Sequence, residues 1–188
     1  MVTIPGYRNI EELHSGAKSV VYRARRDDDD FPVVLKIPTL TMPGRRLRSR
    51  LLHEYEIARQ LQQLDCVPRY INAWEYPRGI ALIMEDSGGF DLSQRPNPTT
   101  PMPLEEFLRL GAEIARALAG VHAAGVIHKD IKPGNILIHQ DGRVHILDFG
   151  SATLLTQESS GLVNPGTLEG TLSYMSPEQT GRMIRLVD

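Results

Sequence analysis

Residues 127–138, with the sequence IHKDIKPGNILI, combine a histidine, two lysines, an aspartate and an asparagine between two apolar ends. A proline and a glycine within the same stretch interrupt regular secondary structure. Asp130 and Asn135 lie on this loop, so their side chains can point into one cavity while the apolar flanks anchor the loop. Carboxylate and amide oxygens bind metal ions, and lysine binds phosphate. The pattern predicts a polar loop held at the mouth of a site.

Two further polar residues stand at the ends of apolar runs. Lys36 ends the run VVLK, and Asp148 follows the run VHIL. An aspartate at a strand end can ligate a metal ion, and a lysine there can reach a phosphate group. Lys36, Asp148 and the 128–135 segment are therefore candidate parts of one site.

Strands dominate the prediction for the first third of the chain. The runs SVVYRARR and FPVVLKIP favour β-structure, and GIALIME further on is typical of a buried strand. Residues 27–30 are consecutive aspartates, which we interpret as a solvated hairpin loop because adjacent carboxylates cannot all converge on one ion.

Two segments have the apolar spacing that is typical of helices. The first is RLRSRLLHEYEIARQLQQL, with apolar side chains at positions 47, 51, 57, 61 and 64. The second begins at Leu104, and Gly125 fits its C-terminal cap. Its predicted face comprises Leu104, Phe107, Leu108, Ile114, Ala115, Leu118, Val121 and His122.

The remaining segments connect these elements. SQRPNPTTPMP is too rich in proline to form regular structure, and we interpret residues 87–103 as a connector between the lobes. After Gly125, two short apolar strands are joined by the turn QDGR. The Ser-, Thr- and Gly-rich remainder after Gly150 is expected to form a long exposed loop.

Composition limits the class of protein. With 21 basic and 23 acidic residues among 188, the net charge of −2 argues against nucleic acid or a membrane surface as a partner. Cys66 is the single cysteine, which fits a reducing compartment. The N-terminal residues lack the apolar run of a signal peptide, and no stretch approaches the ~20 apolar residues of a membrane span. We therefore expect a cytoplasmic protein.

The order of the motifs resembles the signature set of protein kinases. HKDIKPGN is followed by DFG and then by SPE, and VVLK lies upstream. Lys132 after HKDI resembles the pattern of Ser/Thr kinases. The resemblance covers nearly the whole chain. It implies an α+β, bilobal fold with a β-rich N-lobe and a helical C-lobe, and ATP-dependent transfer of phosphate to Ser or Thr of a protein substrate.

The resemblance assigns the transfer chemistry to residues near the second half of the chain. Asp130 would accept the proton of the substrate hydroxyl, and Lys132 would steady the transferring phosphate. Asn135 and Asp148 would hold Mg²⁺. His128 would be a structural member of the loop, not a base.

The resemblance also implies which residues contact the phosphates. Lys36 would bind the α- and β-phosphates of ATP and pair with a glutamate of the following helix. Glu54 and Glu56 compete for that pairing. Glu54 is favoured because family members place an aliphatic residue three positions later, where Ile57 stands.

The segment after GIALI resembles the hinge that holds adenine. Met84 would occupy the gatekeeper position, and backbone groups from Glu85 to Ser87 would bond to the base. Val21 is expected to contact the nucleotide as well. Asp91 could reach the ribose or cap a helix.

The glycine-rich loop departs from the family pattern. His14, Gly16 and Ser19 stand where three glycines are expected, so only Gly16 matches. Glycines there let the backbone approach the phosphates, and side chains at the other two positions restrict that approach. ATP affinity is therefore expected to be modest.

HKD in place of HRD is a second departure. Lys129 cannot grip a phosphate bidentately as arginine does, so activity is expected to depend little on phosphorylation of the activation loop. Candidate acceptors, each also readable as part of an exposed loop, are Thr153, Thr156, Ser159, Ser160, Thr167 and Thr171.

These observations predict an N-lobe at 1–86, a hinge and connector at 87–103 and a partial C-lobe at 104–188. The stretch YMSPEQTGRM resembles the kinase domain that opens large bacterial signalling proteins, which makes ATPase and sensor histidine kinase modules expected partners. Because the resemblance runs out soon after SPEQ, we expect an incomplete C-lobe and little activity of the chain alone. The alternative is a nucleotide-binding pseudokinase module, which the poor glycine loop favours and the intact site residues disfavour.

Overall fold

The computed structural model describes residues 4–16, 19–39, 44–76, 79–95, 100–155 and 171–180. The chain divides into two compact units. The first comprises residues 1–59 and 68–87, and the second comprises residues 60–67 and 88–188.

In the first unit, the described ranges form one antiparallel sheet and one helix. Its elements are β1 (Tyr7–Ser15), β2 (Ser19–Arg26), β3 (Pro32–Pro38), α1 (Gly44–Gln60), β4 (Tyr70–Tyr76) and β5 (Gly79–Glu85). The strand order is β1-β2-β3-β5-β4. The predicted runs form the three central strands, whereas both edge strands, β1 and β4, were not predicted. Helix α1 ends four residues before the predicted limit, because residues 61–63 form a turn.

The strand register determines which side chains share a face of this sheet. Successive residues of a strand point to opposite sides, and directly paired residues point to the same side. One face carries a buried core formed by Ala24, Val33, Leu35 and Ile83 together with Ile4. The other face carries the register pairs Val21 with Lys36 and Val34 with Met84. Candidate site residues therefore gather on the face opposite this core.

The described residues of the second unit form one long helix and two small sheets. Its elements are β6 (Phe90–Asp91), α2 (Leu104–Ala123), β7 (Val126–Ile127), β8 (Ile136–Ile138), β9 (Val144–Ile146) and β10 (Thr153–Leu154). One sheet has the order β6-β8-β9, and β7 pairs with β10 in the other. The β8–β9 hairpin matches the predicted pair of strands around QDGR. Gly125 follows α2 with φ of +75°, as a glycine cap requires.

The predicted connector contains two short elements. Residues 90–91 form strand β6, which pairs with β8, and Leu92–Gln94 form a short 3₁₀ turn. Asp91 caps this turn, because its carboxylate accepts a hydrogen bond from the Ser93 backbone nitrogen at 3.0 Å. Of its two predicted roles, the structure therefore shows the cap.

The predicted apolar face of α2 is not the face that is buried. The buried residues of α2 are Leu110, Ala117 and Val121. Exposed members of the predicted face are Leu104, Phe107, Leu108, Ala115 and His122. Apolar residues occur around much of this helix, so spacing alone fits more than one face. The segment 60–67 helps to select the buried one: the Cys66 thiol lies 3.6 Å from the Ala117 carbonyl oxygen.

The N-terminal half of α2 keeps apolar surface in contact with solvent. Leu104, Phe107 and Leu108 are 71%, 60% and 59% exposed. Neither α2 nor any other helix in the described ranges is long and apolar enough to cross a membrane.

Candidate active site

A buried ion pair joins β3 to α1 in the first unit. Both oxygens of Glu54 lie within hydrogen-bonding distance of Lys36 Nζ, at 2.8 and 2.7 Å. The hydroxyl of Tyr70 donates a further hydrogen bond to Glu54 Oε1 at 3.0 Å. Glu56 is exposed on the same helix, so Glu54 is the glutamate that makes the predicted contact. Such a buried pair holds the lysine ammonium in one position, and removing either partner leaves an uncompensated charge.

The sheet edge near this lysine carries the only matched glycine of the predicted loop. The Gly16 backbone nitrogen donates to the Ser19 carbonyl oxygen at 2.9 Å. A Cβ atom at Gly16 would lie 3.3 Å from His14 Nε2, which is closer than most side chains tolerate. A side chain at Gly16 would therefore require the His14 ring to move by a few tenths of an ångström. His14 and Ser19 occupy the other two positions of the predicted loop. Residues 17 and 18 lie outside the described ranges.

The end of β5 presents the residues predicted to hold adenine. Met84 is buried, Glu85 is half-buried and Ser87 is exposed. The Glu85 backbone nitrogen donates to the Arg69 carbonyl oxygen at 2.9 Å, which fixes the strand end.

An ion pair that the sequence did not predict holds the residue after this strand. Arg23 Nε donates to Asp86 Oδ2 at 2.6 Å, and the Asp86 backbone nitrogen donates to the Pro32 carbonyl oxygen at 3.2 Å. The hydrogen bond to Asp86 raises the pKa of Arg23. Because Arg23 is two residues from Val21 on β2, both side chains lie on the same face of the sheet. The arginine thus connects that face to the start of the predicted hinge.

In the second unit, His128 organises the loop that follows β7. Its Nδ1 atom accepts a hydrogen bond from the Asp130 backbone nitrogen at 3.2 Å, and its Nε2 atom lies 2.8 Å from the Leu147 carbonyl oxygen. The ring also packs edge-on against Phe149 with centroids 5.0 Å apart. Burial lowers the pKa of His128, which favours the neutral ring that these bonds require. The geometry agrees with a structural role and not with a base.

Asp130 is the centre of a polar network on this loop. Its Oδ2 atom accepts a hydrogen bond from Lys132 Nζ at 2.9 Å, and its Oδ1 atom accepts one from the Thr171 hydroxyl at 2.9 Å. Lys132 also donates to Thr171 Oγ1 at 2.8 Å, which closes a triangle of three side chains. Burial raises the pKa of Asp130, but the hydrogen bonds from Lys132 and Thr171 outweigh it, so the pKa lies below its usual value. The carboxylate is therefore ionised at neutral pH and able to accept a proton during a reaction.

Asn135 and Asp148 supply oxygen atoms that suit Mg²⁺. The Asn135 amide nitrogen donates to the Asp130 carbonyl oxygen at 2.7 Å and to Oδ2 at 3.2 Å, so Oδ1 is the atom of this side chain that could ligate a metal. Asp148 has left-handed backbone angles, with φ 64° and ψ 72°, an uncommon conformation for aspartate that is typical of functional sites. The described residues contain no cluster of three or more His, Cys, Asp or Glu that could hold a metal. Two protein oxygens still fit Mg²⁺, which retains waters and binds substrate phosphates.

The role of Thr171 was missed in the sequence, where it was considered only as a phosphate acceptor. Its hydroxyl is instead bonded to Asp130 and Lys132. Thr153, another candidate acceptor, is buried in β10. The candidates Thr156, Ser159, Ser160 and Thr167 lie outside the described residues.

Residues 7–184 match the family described as the protein kinase domain, and the chain therefore belongs to the protein kinase family. The resemblance of its motifs to kinases and the α+β fold class are thereby confirmed.

Bacterial Ser/Thr kinases are among the similar proteins. The chain is 33% identical over 168 residues to the serine/threonine-protein kinase PknH of Mycobacterium bovis, covering 89% of this chain and 28% of that protein. It is 33% identical over 175 residues to the DNA damage-responsive serine/threonine-protein kinase RqkA of Deinococcus radiodurans, covering 92% and 26%. It is 30% identical over 175 residues to the probable serine/threonine-protein kinase pknA2 of Bifidobacterium longum, covering 92% and 23%. The chain thus spans about a quarter of these relatives.

Proposed function

We propose that the chain transfers the γ-phosphoryl group of ATP to Ser or Thr hydroxyls of a protein substrate. The observation that carries the proposal is the triangle of Asp130, Lys132 and Thr171, which positions an ionised carboxylate beside an ammonium group. The similar Ser/Thr kinases of bacteria support the choice of substrate class.

In this proposal Asp130 accepts the proton of the substrate hydroxyl as its oxygen bonds to the γ-phosphorus. The bond between that phosphorus and the β-phosphate oxygen breaks, and ADP leaves. Lys132 steadies the negative charge on the transferring group, because its ammonium already lies beside Asp130. Little covalent chemistry is required of the protein, so fixed positions and fixed charges carry the rate.

The remaining assigned residues bind the nucleotide. Lys36, oriented by Glu54, contacts the α- and β-phosphates, and Met84 with backbone groups of Glu85–Ser87 binds adenine. Val21 and Gly16 contact the nucleotide from the neighbouring strands.

Asn135 and Asp148 are the residues proposed to hold Mg²⁺. When bound, the ion would neutralise charge on the phosphate oxygens. The cytoplasm supplies both ATP and Mg²⁺ and is the proposed location. ATPase and histidine kinase modules are proposed partners, on the resemblance of YMSPEQTGRM alone.

The test is transfer of label from [γ-³²P]ATP to dephosphorylated casein, followed by phosphoamino acid analysis. We expect label on serine or threonine with Mg²⁺ and none when EDTA removes the metal. Nucleotide binding by calorimetry without any transfer would contradict the proposal and favour a binding module.

A further inference from the structure

The side chain of Gln179 joins two segments that are far apart in the sequence. Its Nε2 atom donates a hydrogen bond to the Lys129 carbonyl oxygen at 2.7 Å. Its Oε1 atom accepts hydrogen bonds from the Ser176 backbone nitrogen at 3.1 Å and from the Ser176 hydroxyl at 3.4 Å. Both ends of the amide are thus used, one within residues 176–180 and one on the loop that carries Asp130.

The carbonyl that Gln179 contacts belongs to a residue in an uncommon conformation. Lys129 has a φ of +63°, which lies in the left-handed region. This conformation costs energy for residues other than glycine, and it persists only where the surrounding structure holds it. This carbonyl group is part of the peptide bond between Lys129 and Asp130. A rotation of that peptide would therefore move the carboxylate that is proposed to accept the proton.

The segment 171–180 holds the same loop at a second point. Thr171 bonds to the Asp130 and Lys132 side chains, while Gln179 bonds to the backbone just before Asp130. The Thr180 backbone nitrogen donates to the Ser176 carbonyl oxygen at 3.2 Å, so residues 176–180 form a closed turn that presents Gln179. Two separate contacts therefore hold residues 171–180 against the loop that carries Asp130.

From this geometry we propose that Gln179 is a positioning residue for phosphoryl transfer. Its amide holds the Lys129–Asp130 peptide in the orientation that aims the Asp130 carboxylate, and it keeps Thr171 in register with that carboxylate. The inference rests on the proposed function, since it assigns Gln179 a part in the step performed by Asp130. The proposed role requires an amide side chain. A glutamate would place a hydrogen-bond acceptor against the Lys129 carbonyl oxygen. An apolar side chain would leave that oxygen without this donor.

The test compares Gln179→Glu and Gln179→Met in the full chain. Glutamate keeps the length and the acceptor for Ser176, whereas methionine keeps only the approximate size. We expect kcat to fall about 10–100-fold in both, because small misplacements of a catalytic group cost rates of that order. The KM for ATP should stay within about twofold of the parent value, since the hydrogen bonds of Gln179 in the described part of the chain go to Ser176 and Lys129, neither of which is assigned to nucleotide binding.

Thr180→Ala is the matched control. It removes a hydroxyl that, among the described residues, donates within the same turn to the Pro177 carbonyl oxygen at 2.8 Å, and it should leave kcat unchanged. Hydrogen exchange followed by mass spectrometry gives a second readout. Both Gln179 variants should exchange faster at residues 128–135, while peptides of the five-stranded sheet exchange as in the parent.

The outcomes separate this inference from the proposed function. If the parent chain transfers phosphate and both Gln179 variants match it in kcat and in exchange, the role of Gln179 is wrong and the proposed function stands. If the parent transfers no phosphate, the proposed function fails, and the exchange data alone then decide whether Gln179 holds the loop. Faster exchange throughout the chain would show a general loss of structure and would also overturn the positioning role.

Discussion

At the scale of single residues, an ion pair between Arg23 and Asp86 lies at the predicted hinge. The Arg23 side chain is 41% exposed and the Asp86 side chain 12% exposed, so the pair lies at the border of the buried sheet. Partly exposed pairs of this kind contribute roughly 1 kcal/mol or less. This ion pair fixes the position of Asp86, which lies between Glu85 and Ser87, two residues proposed to bind adenine.

We predict that Arg23→Ala raises the KM for ATP about three- to fivefold with little change in kcat, since a contribution of about 1 kcal/mol corresponds to that factor. Steady-state kinetics with varied ATP is the measurement. Arg25→Ala is the control, because Arg25 lies on the same face of β2 but bonds to Asp30 at 3.2 Å, in the turn beyond the strand. Equal KM values for the two variants would show that the ion pair does not support the hinge.

The sequence predicts those site residues that lie within short motifs. Examples are Lys36, Asp130, Asn135 and Asp148. Each lies in a short motif, and the order of these motifs along the chain indicates the family. Thr171 and Gln179 were missed as contacts because they lie 41 and 50 residues from their partners Asp130 and Lys129. Nothing local in the sequence reports a contact of that separation, whereas the Lys36–Glu54 pair could be expected from the family resemblance.

At the scale of elements, the β8–β9 hairpin carries two packed histidines. His139 and His145 meet edge to face with centroids 4.2 Å apart. His139 is 8% exposed, and its Nε2 atom has no hydrogen-bond partner in the described part of the chain. Burial first, and then repulsion by His139 and Arg143, lowers the pKa of His145 to about 4. The folded hairpin thus favours a neutral His145 ring.

This hairpin predicts a loss of stability in mild acid. The pKa of His145 falls from 6.5 when unfolded to about 4 when folded, so the unfolded chain binds more protons between these values. Its contribution to stability is present above pH 6.5 and is lost as the pH falls toward 4. The thermal midpoint, measured from pH 7 to pH 5, should therefore fall less in His145→Gln than in the parent. In the exposed His122→Gln variant, the thermal midpoint should fall as much as in the parent. An equal fall in all three proteins would show that His145 does not cause the loss of stability.

Helix α2 offers a comparison between a buried and an exposed leucine on one element. Leu110 is 8% exposed and Leu108 is 59% exposed. Leu110→Ala should lower the free energy of unfolding by about 2–3 kcal/mol, because it removes buried methyl groups and leaves a cavity. Leu108→Ala should change it by less than about 0.5 kcal/mol. Urea unfolding followed by circular dichroism measures both, and similar losses would mean that the buried face of α2 is misassigned.

The elements were predicted best where composition is distinctive. The central strands β2, β3 and β5 are rich in β-branched and apolar residues, so their type was clear. Strand β1 is an edge strand in which no side chain is fully buried, and its charged residues hide the alternation that marks a strand. The face of α2 could not be chosen from spacing, since the segment 60–67 that covers it comes from a distant part of the chain.

At the scale of the whole molecule, the assigned chemistry divides between the two units. Residues proposed to bind adenine and the first two phosphates belong to the first unit, and residues proposed to carry the transfer belong to the second. The family and the fold class could be predicted, because the order of short motifs is specific even where single motifs are not. The lobe boundaries remain predictions. In the structure, residues 60–67 group with the second unit although they precede β4 in sequence, a long-range arrangement that no local pattern encodes.

The central claim is that Asp130 accepts the proton in an ATP-dependent transfer, and Asp130→Asn tests it most directly. The substitution keeps the size of the side chain and removes the acceptor charge. Labelled phosphate transfer to casein should fall about 10²–10⁴-fold, while ATP affinity by calorimetry stays within about twofold. Asp141→Asn, at the exposed β8–β9 turn, should transfer as the parent does. Transfer by Asp130→Asn at the parent rate would contradict the account.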